Sequence, residues 1–203
     1  MIAIIDYGMG NLFSVKKALE HLGADAEITN SPERIRAADK IILPGVGAFG
    51  DAMKELNARG LSDLARDEAA SGKPFLGICL GIQLLFEESE ESPGIEGLGI
   101  LKGTCRRFVT DLKVPHMGWN QLKMKRPSPL MEGIETGDYV YFVHSFYVDP
   151  EDESDIATTT EYDIEFTSSI RRGNIVATQF HPEKSQKVGL TMLKNFIEME
   201  SNV

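Results

Sequence analysis

Two cysteines, four histidines and the carboxylates are among the residues of this chain able to attack a carbonyl, move a proton or hold a metal. Cys79 has the most telling setting. It sits in Gly77-Ile78-Cys79-Leu80-Gly81, with a glycine two residues away on either side, at the join between an apolar run and a helical pattern. That spacing is the cysteine form of a nucleophile elbow, a sharp strand-to-helix turn that leaves no room for side chains beside the reactive atom. Amides at the start of the following helix favour a thiolate over a thiol and point donors at a forming oxyanion. Cys105 has no such setting and reads as a buried structural cysteine.

A cysteine nucleophile needs a base. Of His21, His116, His144 and His181, only His181 ends an apolar strand and is followed by Pro182 and Glu183. The short spacer lets Glu183 come back toward the imidazole and fix its tautomer, as the third member of a triad does. A second turn, Pro44-Gly45-Val46-Gly47, follows another strand. Its glycines allow a backbone amide to turn toward the reacting carbonyl, and ligand crevices in open α/β sheets lie beyond the carboxyl ends of the strands. No metal site is expected, because the chain has neither paired cysteines nor two histidines at helical spacing, and no cysteine follows position 105. These residues describe a cysteine acyl-transfer hydrolase; nothing in their spacing names its substrate.

Such residues must be held by a scaffold, and the first half of the chain alternates short apolar runs with helical patterns, the signature of βα units around a parallel sheet. Strands are expected at Ile2 to Ile5, Ala26 to Thr29, Lys40 to Leu43 and Pro74 to Ile78. A helix with the stripe Leu12, Val15, Ala18, Leu19 and Leu22 closes at Gly23, with Phe13 off the stripe. Ser31-Pro32 opens a short helix, and Leu61 to Ala70 forms another. The helix after Cys79 runs through Leu84 and Leu85 into the acidic tract Glu87 to Glu91, read as a solvated helix end or loop with no ligand role.

In the second half, Arg106 to Val109, Trp119 to Lys123, Tyr139 to Val148, Ile156 to Thr160 and a hairpin from Phe166 to Phe180 turning at Gly173-Asn174 suggest antiparallel strands added to one edge of the sheet. Ser185 to Met199, with Val188, Met192, Leu193, Phe196 and Met199 on one face, should close the structure as a helix. With no repeat or linker, residues 1–203 read as one domain. A length of 203 residues with 42% hydrophobic and 26% charged content supports a full core without staples. The net charge of -10 argues against nucleic-acid or acidic-membrane binding, and two unpaired cysteines with no export signal or membrane span point to the cytoplasm.

With Gly77-Ile78-Cys79-Leu80-Gly81-Ile82-Gln83, the Pro44 glycine turn and His181-Pro182-Glu183 together, the chain resembles the class I, triad-type glutamine amidotransferases over essentially its whole length. Within that class it is similar to the glutaminase subunits of imidazole glycerol phosphate synthase. The carriers are Asp6-Tyr7-Gly8-Met9-Gly10-Asn11, Pro44 to Gly50, Pro115-His116-Met117-Gly118-Trp119-Asn120 and His181 to Ser185. Ile82 stands where many members carry methionine, a change of apolar shape with no bearing on the triad.

The resemblance implies a three-layer flavodoxin-like α/β fold, mostly parallel. It implies that Cys79 attacks the side-chain amide of glutamine, that His181 shuttles the proton, and that Glu183 orients the histidine. The oxyanion would be held by amides of Leu80 and of the Gly45, Val46 and Gly47 turn, and the substrate by Gln83 with backbone near Ser145 and Phe146. No cofactor is implied. The implied partner is the cyclase subunit of imidazole glycerol phosphate synthase, a (β/α)8 barrel forming a heterodimer and receiving ammonia. The surface expected to meet it includes Tyr7, Asn11, Phe13, Trp119 and Lys184. Two alternatives stand beside this reading: a glutaminase serving another synthase, and a catalytically idle interaction subunit that keeps the elbow for packing.

Overall fold

The computed structural model describes residues 1–201. Its strands are Ile2–Ile5 (β1), Ala26–Thr29 (β2), Lys40–Gly45 (β3), Phe75–Cys79 (β4), Glu88–Ser89 (β5), Gly103–Arg107 (β6), His116–Gln121 (β7), Lys123–Met124 (β8), Tyr139–His144 (β9), Phe146–Pro150 (β10), Ile156–Tyr162 (β11), Ile164–Arg172 (β12) and Ile175–Thr178 (β13). Its helices are Leu12–His21 (α1), Pro32–Ala37 (α2), Phe49–Ala58 (α3), Leu61–Ala70 (α4), Leu80–Leu84 (α5) and Gln186–Glu198 (α6).

Eleven strands form one sheet, whose main path runs β2-β1-β3-β4-β13-β12-β10-β6-β5, with β11 paired to both β12 and β8. The portion from β2 to β13 is parallel, and antiparallel pairing begins where β12 meets β13. The last parallel strand is thus the return arm of the expected hairpin, turned back beside β4. β7 and β9 make a separate antiparallel pair.

Strand alternation divides the interior into two layers. Ile2 and Ile4 of β1 join one apolar cluster with Leu12, Val15 and Leu19 of α1 and Met192, Leu193 and Phe196 of α6. Ala3 and Ile5 point the other way, toward Ile35 of α2, Met53 and Leu56 of α3, and Leu61, Leu64 and Ala65 of α4. Strands buried on both faces need apolar residues at every position, which is why β1 reads IAII and not as an alternating pattern. The result is the expected three-layer arrangement of helices on both faces of a largely parallel sheet.

Some elements differ from the sequence reading. α3 lies in a stretch where no helix was expected; Phe49, Ala52, Met53 and Leu56 give it a buried stripe directly after the glycine turn. α5 stops at Leu84 instead of continuing into the acidic tract, part of which forms β5. The run expected from Tyr139 to Val148 breaks at Ser145, which separates β9 from β10. The break matters because it lies against the site.

Candidate active site

Cys79 ends β4 and occupies the position just ahead of α5, with φ 56° and ψ -109°. A non-glycine residue at positive φ is strained, and such strain persists only where the surroundings over-determine it. Here the surroundings do: a Cβ added at Gly81 would lie 1.9 Å from the Leu43 carbonyl oxygen, and one at Gly77 would lie 3.0 Å from the Gly81 backbone. The two glycines let α5 pack directly onto β3 and force the turn at Cys79. α5 has only five residues, so its contribution at the thiol comes from first-turn amides more than from a long dipole.

His181 follows β13, the neighbour of β4, and opens the 3₁₀ turn Pro182–Lys184. The turn brings Glu183 back as expected, with Nδ1 of His181 2.9 Å from Oε1 of Glu183 and both side chains buried. Ser185 staples this segment: its hydroxyl donates to the His181 carbonyl at 2.7 Å and accepts from the Tyr141 amide at 3.0 Å. In the sequence Ser185 is only the last residue of a motif, and no local signal marks this positioning role. Nε2 of His181 has no hydrogen-bond partner among the described residues. Burial alone would discourage protonation of His181, but the neighbouring Cys79 and the hydrogen-bonded Glu183 carboxylate outweigh it and raise the imidazole to about 10.

Both side chains open on a cavity of about 270 Å³ lined by Val46, Gly47, Cys79, Leu80, Gln83, Glu91, Pro115, Val143, His144, Ser145, Phe146 and His181. That is below the roughly 300 to 1,000 Å³ of sites for drug-sized ligands and suits a small metabolite. Gly45 pairs with Cys79 in the β3–β4 register, and the turn after it contains Gly47 at φ 96°. The expected oxyanion and substrate residues are therefore brought to one place. Gln83 is held there by Nε2 donating to the Phe146 carbonyl at 3.3 Å and to Oε1 of Gln179 at 3.2 Å.

Two expectations need correction. Glu91 does not belong to a purely solvated tract: it lines the cavity, and its carboxylate accepts a hydrogen bond from the Phe49 amide at 2.7 Å. The short strand β5, paired with β6, carries the chain back toward the site, and that pairing is a tertiary event with no local signal. Tyr7 is not a surface residue. Its side chain is fully buried, and its hydroxyl lies against Gly45, where an added Cβ would come within 2.5 Å of it. It lies two residues past β1, beyond the half-buried Asp6, and turns back into the interior. Phe13, Trp119 and Lys184 are exposed, at 74% for Phe13 and 45% for Trp119, and Asn11 is half-buried.

The model of the family "Glutamine amidotransferase class-I" matches residues 3–199. The chain belongs to this family. Proteins named "Imidazole glycerol phosphate synthase subunit HisH" are similar to it across nearly the whole length. The one from Syntrophotalea carbinolica is 53% identical, covering 98% of this chain and 100% of the relative. The one from Aquifex aeolicus is 55% identical, covering 95% and 94%. Among solved structures, a glutamine amidotransferase aligns with a TM-score of 0.77 at 21% identity over 98% of both chains. PurLQS from Thermotoga maritima gives 0.77 at 19% over 97% of both. These two likenesses speak for the fold alone. Among the described residues no helix is long and apolar enough to cross a membrane.

Proposed function

We propose that this family member is the glutaminase subunit of an imidazole glycerol phosphate synthase, and that it acts through Cys79, His181 and Glu183. The carrying observation is the strained elbow at Cys79 beside a buried His181–Glu183 pair, both opening on one small cavity. The choice of synthase rests on relatives more than half identical over almost the full chain.

In this reading the Cys79 thiolate adds to the side-chain carbonyl carbon of glutamine. Oxygen takes the negative charge, and amides of Leu80 and of the Gly45-Val46-Gly47 turn donate to it. His181 then gives its proton to the departing nitrogen, which leaves as ammonia, and a thioester remains on Cys79. Water deprotonated by His181 releases glutamate and restores the thiol. Glu183 holds Nδ1 and balances the imidazolium. Gln83 and the Ser145–Phe146 backbone place the substrate, and Glu91 supplies a carboxylate for its ammonium group. The ammonia passes to a cyclase subunit docked over the cavity, in a cytoplasmic heterodimer.

Glutamate release from glutamine, measured for the chain alone and with the cyclase, tests the reading. Turnover that rises in the complex and is matched by nucleotide product supports it. No glutamate under either condition favours an idle interaction subunit, and glutamate release indifferent to the cyclase favours another synthase.

A further inference from the structure

Beside the cavity, a line of polar side chains, two buried and one half-buried, lies outside the triad. Nδ1 of His144 is 2.8 Å from the Phe146 carbonyl oxygen, Nε2 of His144 is 2.9 Å from Nδ1 of His116, and Nε2 of His116 is 3.2 Å from Nδ2 of Asn120. Nδ2 of Asn120 also donates to the Glu161 carbonyl at 2.9 Å, while its Oδ1 accepts from the Gln121 amide at 2.8 Å. Both histidines are buried, and His116 stacks between Phe142 and Tyr162 with ring centroids 4.9 and 4.0 Å away. Burial lowers the pKa of His116 to about 4 and that of His144 to about 3, so both rings are neutral near neutral pH.

The two ends fix the direction of every bond. Phe146 offers only a carbonyl, so Nδ1 of His144 carries the proton and Nε2 accepts. His116 must then donate from Nδ1 and accept at Nε2. Asn120 supplies that last proton, because its oxygen is already committed to Gln121. Both imidazoles are thereby held in the Nδ1-protonated tautomer, and no member has a free choice. The residue enclosed by the His144–Phe146 bond is Ser145, where β9 breaks, and Ser145 and Phe146 both line the cavity.

We propose that His144, His116 and Asn120 form a one-way hydrogen-bond relay that holds the Ser145–Phe146 turn in its glutamine-binding shape. The proposal rests on the glutaminase reading, and its members are positioning residues for substrate binding. The Phe146 carbonyl then has two donors, Nδ1 of His144 and Nε2 of Gln83, and the relay prevents the first from rotating away.

Three variants test this in the reconstituted complex. His144→Asn keeps a donor near the place of Nδ1 although it leaves a void. His144→Leu keeps the volume and removes the donor. If the relay positions substrate, KM for glutamine rises about tenfold in the leucine variant, the size of one lost neutral hydrogen bond, with kcat changed far less. The asparagine variant stays near the wild-type KM despite lower thermal stability. A KM that follows stability instead of the donor overturns the proposal. Asn120→Asp puts an acceptor where the relay needs a donor, and ¹⁵N spectra of the histidine rings read the consequence. Nδ1-protonated His116 and His144 in the wild-type protein, and a changed His116 protonation pattern with raised KM in the aspartate variant, are expected. A wild-type His116 or His144 protonated at Nε2 rules the relay out. Loss of wild-type glutaminase chemistry itself would defeat the function reading; unchanged KM in His144→Leu with wild-type turnover intact defeats only the relay.

Discussion

At the scale of single residues, the triad geometry gives Glu183 a specific task. Its buried carboxylate faces Nδ1 of His181, and in the proposed mechanism it fixes the tautomer and balances the imidazolium formed during acyl transfer. Glu183→Gln keeps the shape and removes the charge. Turnover should fall by about 10³ to 10⁴, as when a triad loses its acid, with glutamine binding changed less. Single-turnover kinetics check this, and unchanged turnover would reduce Glu183 to a structural role. Against the opposing effect of burial, Cys79 and Glu183 together raise His181 to about 10, above the value of about 6.5 for an unfolded histidine. A group with a raised folded-state pKa stabilises fully below its unfolded value, and that contribution is lost as pH climbs through the folded one. The stability gap between wild type and His181→Gln, read from denaturant midpoints, should therefore be largest near pH ~6 and shrink toward pH ~10. A gap independent of pH would contradict the paired imidazolium.

At the scale of elements, the elbow, the Pro44 turn and the His-Pro-Glu turn were legible because each is a local conformational necessity written in glycine or proline. The α1 stripe was legible for a similar reason, and the place of Phe13 off that stripe matches its exposure. α3 carries an equally clear stripe, but Gly50 in its first turn hides where it begins. What could not be read locally was pairing between distant strands: β13 beside β4, β5 beside β6, and hence Glu91 at the cavity and Ser145 at the break. Burial of Tyr7 was missed because the turn sequence around it looks like a surface loop.

Two predictions belong to elements. On β7, Met117 and Trp119 face outward while His116 is buried, and Lys184 is exposed on the turn after His181. If this rim receives the cyclase, Trp119→Ala with Lys184→Ala should weaken the complex about 100-fold, as for a pair of interface hot spots. Calorimetric titration with the cyclase measures it, and wild-type affinity would remove this surface. The Gly45-Val46-Gly47 turn is a candidate switch, since rotating one peptide there exchanges an amide donor for a carbonyl at the oxyanion position. Losing one such donor costs about 10² to 10³ in rate. Glutamate release should accordingly be low for the free chain and rise strongly when the complex holds the cyclase's nucleotide substrate. Equal rates for free chain, complex and nucleotide-loaded complex would exclude the switch.

At the scale of the whole molecule, the carboxyl ends of β3, β4 and β13 bring the Gly45-Val46-Gly47 turn, Cys79 and His181 to one rim, where the proposed mechanism needs its oxyanion donors, nucleophile and base. The β9–β10 break lines the cavity beside them. Because each central strand serves both core layers, neither layer can assemble without the sheet, and we propose that residues 1–203 form one domain. The division of labour proposed for the complex makes the central claim directly measurable: this chain makes ammonia, and its partner consumes it. Cys79→Ala removes the only nucleophile in the cavity mechanism while leaving the partner's chemistry intact. Synthesis by the reconstituted complex should be measured with this variant, once with glutamine and once with an ammonium salt as the nitrogen source. Loss of the glutamine-dependent reaction with the ammonium-dependent reaction preserved is the predicted result. Near wild-type synthesis from glutamine would contradict the account.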